Sequence, residues 1–390
     1  MYLKHLELRN YRNYAKVSTD FSPQINVLIG SNAQGKTNLL ESVYVLAITR
    51  SHRSNNDRDL VRFGADFARI DGRVSRKLGN TDLRLVISSQ GKRAKVNNLD
   101  APKLSVYMGK LNVILFAPED LNLVKGSPAL RRRFIDMEFG QMSPAYLANL
   151  TMYKKALKQR NAYLKQLKFH QTKNLTFLDV LTDQVAQYGG AVIAARAKLL
   201  QDMGKFAAVI HSDITRGGEV LQLRYVSQVH DDAFGDADAA TARLQDLFAK
   251  SRQRELDQGT SLVGPHRDDV QFIVNDRDVA TFGSQGQQRT TALAVKLAEI
   301  DLMKQETGEY PVLLLDDVLS ELDDNRQTHL LRAIQDKVQT FLTTTSLDGI
   351  AREIIQEPAI FHVDDGTLTR MDADAVLHDR GSASAQTEVN

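Results

Sequence analysis

The sequence predicts an α/β fold: a P-loop nucleotide-binding head, split along the chain, with a mainly α-helical second lobe inserted between its halves. Three observations carry this expectation. A glycine loop near the N-terminus lies between a short apolar run and a helical stretch, a hydrophobic run far downstream ends in two aspartates, and a heptad-spaced block separates the two.

The glycine loop comes first. Gly30, Ser31, Asn32, Ala33, Gln34, Gly35, Lys36 and Thr37 fit the pattern G-x-x-x-x-G-K-[ST]. Ile25 to Ile29 before it is rich in β-branched residues and reads as a buried strand, and Asn38 to Tyr44 after it has helical apolar spacing. Glycines let backbone N–H groups turn inward around phosphate oxygens, and a helix N-terminus adds partial positive charge. All eight residues are therefore candidate ATP contacts, with Lys36 expected on the β/γ-phosphates and the Thr37 hydroxyl on Mg²⁺. The bland reading is a chance match in a surface loop; the strand–loop–helix setting argues against it.

The hydrophobic run, Pro311 to Asp317 (PVLLLDD), reads as a parallel strand buried on both faces. Asp316 at its end is expected to hold Mg²⁺, and Asp317 to polarise an attacking water. Adjacent aspartates also cap turns, but pairing with a P-loop favours the metal role. Upstream, Ser284-Gln285-Gly286-Gln287-Gln288 opens an amphipathic helix through Leu293, Leu297 and Ile300 that stops at Gly308, making a second helix end suited to an anion. Ser320-Glu321-Leu322-Asp323 follows the aspartates. In this order the four elements resemble the ATP-binding-cassette (ABC) ATPases. That resemblance implies that Ser284, Gly286 and Gln287 complete the ATP site of a second copy.

The chain has 390 residues, enough for two domains, and no cysteine, which removes disulfides, thiolate chemistry and cysteine-based zinc sites. No stretch approaches the ~18 apolar residues of a membrane span and the N-terminus lacks an apolar signal core, so a cytoplasmic protein without membrane contact is expected. A compact cassette carries its serine motif about a hundred residues after the P-loop, whereas here the gap is about 250. Within that gap Leu178, Val185, Val192, Leu199 and Phe206 recur every seven residues, as do Leu150, Leu157 and Leu164. Two readings stay open: a short helical arm, or ordinary bundle packing. Gly189-Gly190 weakens the second helix by about 1 kcal/mol per residue, which suggests a kink.

The head is expected over 1–130 and 260–372, the helical lobe over 131–259, and a disordered tail over 373–390, where Ala, Ser and Asp dominate. Leu83 to Ser88 and Lys92 to Val96 read as a hairpin, and Leu111 to Phe116 as a buried strand. Val220 to Val226 and Val270 to Val274 have strand character, and Thr340 to Thr344 reads as the last strand of the sheet.

Six segments, in order, narrow the family: MYLKHLELRNYRNY from Met1, GSNAQGKTNLLESVY, FAPEDLNLVKGSPALRRRFID from Phe116, GPHRDD from Gly264, SQGQQR, and PVLLLDDVLSELDDNR. Together they resemble the RecF family of bacterial recombinational-repair ATPases, relatives of the cohesin-like ATPases. The resemblance implies an ATP-dependent homodimer that binds single- and double-stranded DNA at gaps or junctions. It also implies slow ATP hydrolysis and action with RecO and RecR to help RecA load. Two departures from the cassette pattern point the same way. Asp317 stands where most cassettes carry Glu, and the stretch from Thr343 to Ser346 stands where most carry a His that senses the γ-phosphate; both suit slow hydrolysis and a switch. Glu119 is the nearest candidate for the metal-contacting glutamine of relatives.

Net charge, at +2, is too balanced to imply nucleic acid by itself. Its distribution says more. No acidic residue lies between Glu138 and Asp179, while Lys154, Lys155, Lys158, Lys165 and Lys168 line one side of the helix set by Leu150, Leu157 and Leu164. They are candidate contacts to DNA phosphates; a solvated basic face is the alternative. Arg9, Arg12, Lys16, Arg50 and Arg53 are further basic candidates, as is the Arg131 to Arg133 run unless it pairs with acidic residues. A second function class stays open too: a cassette ATPase whose helical arm docks a protein partner, in transport or defence, with DNA incidental.

Overall fold

The computed structural model describes residues 1–345 and 358–371; the expected tail over 373–390 and Ser346 lie outside them. The chain forms two compact units, Met1–Asp120 with the described residues from Met303 onward, and Leu121–Leu302. Residues 121–130 and 260–302, expected with the head, lie in the second unit.

The first unit begins with β1 (Tyr2–Tyr11), β2 (Tyr14–Asp20) and β3 (Ile25–Ile29), which leads through the glycine loop into α1 (Lys36–Ile48). Then come β4 (Phe67–Arg76), β5 (Gly79–Ser88), β6 (Gly91–Val96), the two-residue β7 (Leu99–Asp100), the one-turn α2 (Leu104–Tyr107) and β8 (Val113–Phe116). One six-stranded antiparallel sheet has the order β2-β1-β4-β5-β6-β7. Its strands alternate as half-buried strands should: Ala68, Ile70, Gly72 and Val74 of β4 point inward, as do Leu83, Leu85 and Ile87 of β5. Gly72 leaves room for Leu46 of α1, whose Cδ2 would lie 2.4 Å from a Cβ there and would have to shift.

The second unit holds α3 (Pro128–Met142), α4 (Pro144–Lys168), α5 (Leu175–Ile214), β9 (Leu221–Val226), α6 (Ala237–Gln258), β10 (Asp269–Val274), β11 (Arg277–Asp278), α7 (Val279–Phe282) and most of α8 (Gln285–Thr307). Helix starts follow local chemistry. Ser127 and Ser143 cap α3 and α4, each with proline at the first helical position, and Asn174 and Asp236 cap α5 and α6. Leu150, Leu164, Leu178, Val185, Val192 and Leu199 are buried, and α6 packs against both α4 and α5, so the heptads build a three-helix bundle. The glycine pair is no break. α5 runs unbroken through Gly190, where a Cβ would lie 2.2 Å from Thr241 Oγ1 and 2.7 Å from the Ala237 carbonyl oxygen. Close approach of α6, not a kink, is what the glycine serves.

Back in the first unit, β12 (Val312–Asp316), α9 (Asp324–Ile334), β13 (Thr340–Thr344), β14 (Ala359–Asp364) and β15 (Thr367–Met371) complete the α-helices and strands among the described residues. The second sheet has the order β15-β14-β3-β13-β12-β8, parallel except for β15. Thr340 to Thr344 is therefore not its last strand. β14 pairs beside β3, with Ile360, Phe361 and Val363 buried, and turns into β15 at Asp365-Gly366. The Asp-Gly pair, both residues at positive φ, is the hairpin signal that marks this addition in the sequence.

Candidate functional site

In an open parallel sheet, ligands gather at the carboxyl ends of the strands. Here three such ends lie side by side. The glycine loop follows β3, Asp316 closes β12, and β13 lies between them with Thr343 in register with both Leu28 and Asp316. The site is therefore assembled by strand order across residues far apart in sequence.

The loop is shaped by contacts that exclude side chains. A Cβ on Gly30 would lie 2.3 Å from the Val363 carbonyl oxygen, and one on Gly35, at φ 117°, would lie 2.6 Å from Asn13 Nδ2. No side chain caps the N-terminus of α1 and its first turn carries no acid, which leaves a helix end suited to an anion. Lys36 Nζ turns back onto the carbonyl oxygens of Gly30 (2.6 Å) and Ser31 (2.8 Å). Burial lowers its pKa, against the opposing pull of Asp317 and Asp316. Ser31, Asn32 and Ala33 are exposed along the loop's outer side.

Thr37 and Asp316 meet. Thr37 Oγ1 donates to Asp316 Oδ1 (3.0 Å), and so does Thr343 Oγ1 (2.9 Å). Thr343 also accepts the Asp317 N–H at 2.8 Å. One hydroxyl thus ties the two aspartates together, and it belongs to the stretch expected to sense the γ-phosphate. Asp317 sits at φ 53°, a left-handed conformation that Asp tolerates better than most residues, and its side chain faces solvent. Among the described residues no group of three or more His, Cys, Asp or Glu could hold a metal ion. A hydroxyl beside one buried carboxylate instead fits Mg²⁺, which commonly completes its oxygen shell with phosphate and water. Glu119 is exposed, three residues beyond β8, and Ala117 N–H donates to Asp120 (2.8 Å) in the same turn.

Several residues around this site were not anticipated. Asn13 Nδ2 donates to the Gln34 carbonyl (3.0 Å), Tyr14 OH donates to that of Gly35 (2.9 Å), and the Asp365 N–H donates to Gln34 Oε1 (2.8 Å). The first hairpin and the β14–β15 turn therefore brace the glycine loop from outside. Glu41 of α1 is fully buried. It takes two hydrogen bonds from Arg12, at 2.9 Å each, and one from Ser51 Oγ (2.5 Å). Burial raises its pKa, but Arg12 and Ser51 outweigh that and hold it below the usual value. Arg12, a basic candidate for DNA, is committed to this carboxylate, and Arg53 donates to Asn38 (2.9 Å) beside Thr37. His52 Nδ1 is buried without a hydrogen-bond partner; burial lowers the ring's pKa against Glu41 and Asp316.

The serine motif belongs to the second unit. Ser284 Oγ accepts the Gln287 N–H (3.2 Å) and Gln287 Oε1 accepts the Ser284 N–H (2.9 Å), a reciprocal capping box at the start of α8. Gln287 Nε2 reaches Glu219 (2.8 Å), and the Gly286 carbonyl accepts Thr290 Oγ1 (2.9 Å).

The basic residues of α4 separate into two kinds. Lys155, Lys158 and Lys165 are exposed, with no carboxylate in ion-pair range among the described residues. Lys154 is bound to Asp136 (2.8 Å), which also pairs with buried Arg196 (2.7 Å), and Lys168 Nζ approaches the Gln258 carbonyl (3.4 Å) at the end of α6. Arg131 pairs with Asp269 through two hydrogen bonds (2.7 and 2.8 Å) and Arg132 donates to the Asp268 carbonyl (2.7 Å), so the first two arginines of the run are structural. In the same motif His266 bonds Tyr153 (2.5 Å), and burial pushes its pKa down to about 4.

Similar proteins now give this geometry a context. The sequence profile of the family described as RecF/RecN/SMC N terminal domain matches residues 2–369. A relative from Lacticaseibacillus casei (strain BL23), named DNA replication and repair protein RecF, is 68% identical over 95% of this chain and 100% of its own. A protein of the same name from Latilactobacillus sakei subsp. sakei (strain 23K) is 60% identical over 96% of this chain and 100% of its own. A solved structure of the recombination mediator protein RecF-ATPrS in the RecFOR pathway superposes with a TM-score of 0.88 at 31% identity, covering 95% of this chain and 98% of that one. An Smc head domain derived from Pyrococcus furiosus shares the fold alone, with a TM-score of 0.55 at 14% identity.

Proposed function

The chain belongs to the RecF family, within the RecF/RecN/SMC N-terminal domain class of ABC-type ATPases, and from that premise we propose that it is an ATP-gated DNA-binding switch of DNA replication and repair. The observation that carries the proposal is the Thr37–Asp316–Thr343 junction with Asp317 beside it, at the mouth of an uncapped helix N-terminus. In this reading the loop amides and Lys36 hold the triphosphate, and Lys36 leaves its two carbonyl partners to do so. Thr37 and Asp316 hold Mg²⁺, which when bound neutralises phosphate charge. Asp317 orients the attacking water. Its short side chain sets the water less well than Glu would, so turnover is slow and the ATP-bound state is long-lived. The relative solved with ATPrS, and another described as RecF-ATP, support a nucleotide of this class.

Ser284, Gly286 and Gln287 would contact the triphosphate of a second copy, which makes dimerisation depend on ATP. The exposed α4 lysines would lie along DNA phosphates, and RecO, RecR and RecA would be the proteins served. The decisive experiment compares two variants by sedimentation and nucleotide binding. Ser284→Arg is expected to keep monomer ATP affinity and to lose ATP-induced dimerisation, whereas Lys36→Ala is expected to lose ATP binding itself. If Ser284→Arg abolishes monomer binding as fully as Lys36→Ala, the serine does not act across a dimer.

A further inference from the structure

At the turn between α4 and α5 the surface changes character. Phe169 is 67% exposed, and Leu175, Phe177 and Val180 are 44, 47 and 48% exposed. Solvent-facing turns are ordinarily polar, so a run of large apolar side chains at a hairpin tip needs a reason. Folding inward is closed to them. Leu164, Leu167 and Leu178 already fill the core beneath, with Tyr163 and Leu256 packed against it.

The tip is also stiff. Tyr163 OH donates to the Asn174 carbonyl (2.8 Å), and the Tyr163 ring stands at 83° to Phe177 with centroids 4.8 Å apart. An edge contact of this kind fixes the Phe177 ring while part of it remains open to solvent. Along the chain the charges nearest the tip have one sign, and the end of α6, whose Gln258 carbonyl meets Lys168, brings one exposed acid, Asp257. Lys165, Lys168 and Lys173 flank the rings, and the first acid beyond them, Asp179, is paired with Arg252 (2.8 Å).

We propose that this tip binds the unstacked bases of single-stranded DNA, with Phe169 and Phe177 as stacking faces and the lysines on the flanking phosphates. Flat apolar rings interleaved with cations are what a single strand requires. A duplex, whose bases are already stacked, would engage the lysines and leave the rings idle. The proposal rests on the reading that DNA is a ligand of this chain and adds where a single strand is told from a duplex.

The full chain contains no tryptophan, so Phe169→Trp introduces a sole indole at an exposed position. Its emission would be followed while a thymidine oligonucleotide or a blunt duplex is added at fixed salt, with binding of both measured separately by anisotropy. Quenching by the single strand and not by the duplex is the expected result. Phe169→Ala should weaken single-strand binding about tenfold, as removal of one stacking face does, and move duplex binding less than twofold. An indole silent to a bound single strand overturns the proposal while leaving DNA binding intact. So does an alanine variant that binds the single strand like the parent or loses both ligands equally. A parent chain that binds neither DNA overturns the DNA reading and this one with it. An indole that ignores DNA and responds to poly-glutamate would assign the tip to an acidic protein segment instead.

Discussion

Two polar sets, one in each unit, handle buried charge in opposite ways. In the second unit buried charges close on one another: Arg160, 1% exposed, bonds Glu255 (2.7 Å), Ser261 (2.7 Å) and Thr182 (2.9 Å), and Arg196 joins Asp136, Tyr146 and the Pro265 carbonyl. In the first unit the chain from Thr37 through Asp316 and Thr343 stays open, ending at the backbone N–H of Asp317, whose own side chain is exposed. Closed sets fix how helices sit on one another. An open set at strand ends keeps ligand capacity in reserve.

The comparison is broken most sharply at Asp317. Asp317→Asn keeps shape and removes the carboxylate proposed to orient water, so hydrolysis should fall about 10²–10⁴-fold with ATP binding unchanged. Steady-state phosphate release and equilibrium nucleotide binding measure the two separately. Turnover within twofold of the parent would mean that the open chain ends elsewhere.

The closed set is tested at Arg160. Arg160→Met leaves the Glu255 carboxylate buried with one charged partner gone, and should cost about 3–5 kcal/mol in urea unfolding of the full chain. Adding Glu255→Met should restore part of it, because no unpaired charge is then left buried; what stays lost is the hydrogen bonding of the Leu262 N–H, Ser261 Oγ and Thr182 Oγ1. A double variant as unstable as the single would show that the guanidinium acts by packing, including its stacking 4.4 Å over Phe248.

Legibility in the sequence follows how local each signal is. The glycine loop, its strand and helix, and the aspartate pair could be read because each signal lies within a few consecutive residues. Asn13, Tyr14, Glu41 and the Asp365-Gly366 turn could not, since each acts on an element distant in sequence; only the Asp-Gly pair left a local trace. β14 escaped because His362 interrupts a short apolar run. Arg12 and Lys154 read as free positive charge because a one-dimensional charge count cannot see a pairing made by folding, while for Arg131 the pairing with an acid, one of its two readings, is met by Asp269.

Gly190 refines the packing side of the contrast. Alanine would raise helix propensity by about 1 kcal/mol, yet its Cβ would press on the backbone of Ala237 and Thr241 at 2.7 Å each. Overpacking of that kind costs about 1–3 kcal/mol, so Gly190→Ala should destabilise on balance by up to about 2 kcal/mol. Gly204→Ala, on the same helix, would meet Leu223 at ordinary contact distance, Cβ at 3.6 Å and N at 4.0 Å, and should be neutral or slightly stabilising. Equal effects from both substitutions would show that propensity, and not the approach of α6, governs this helix.

The smallest expected effect separates free lysines from committed ones. If Lys155, Lys158 and Lys165 lie on duplex phosphates, changing all three to Gln should flatten the slope of log K against log salt by roughly 0.9 for each phosphate left without its lysine. Lys154→Gln should change that slope much less, because its ammonium already neutralises Asp136 and gains little by moving to a phosphate. Gln keeps most of the stem and the helix propensity, so unfolding does not confound the comparison. Titration with duplex at several salt concentrations reads both slopes in one experiment. A Lys154 variant as salt-insensitive as the triple would mean that the Asp136 pair opens on DNA, and a triple variant with the parent's slope would return the whole stripe to solvent. In either case the distinction between open and closed charge would have to be drawn from binding rather than from the free protein.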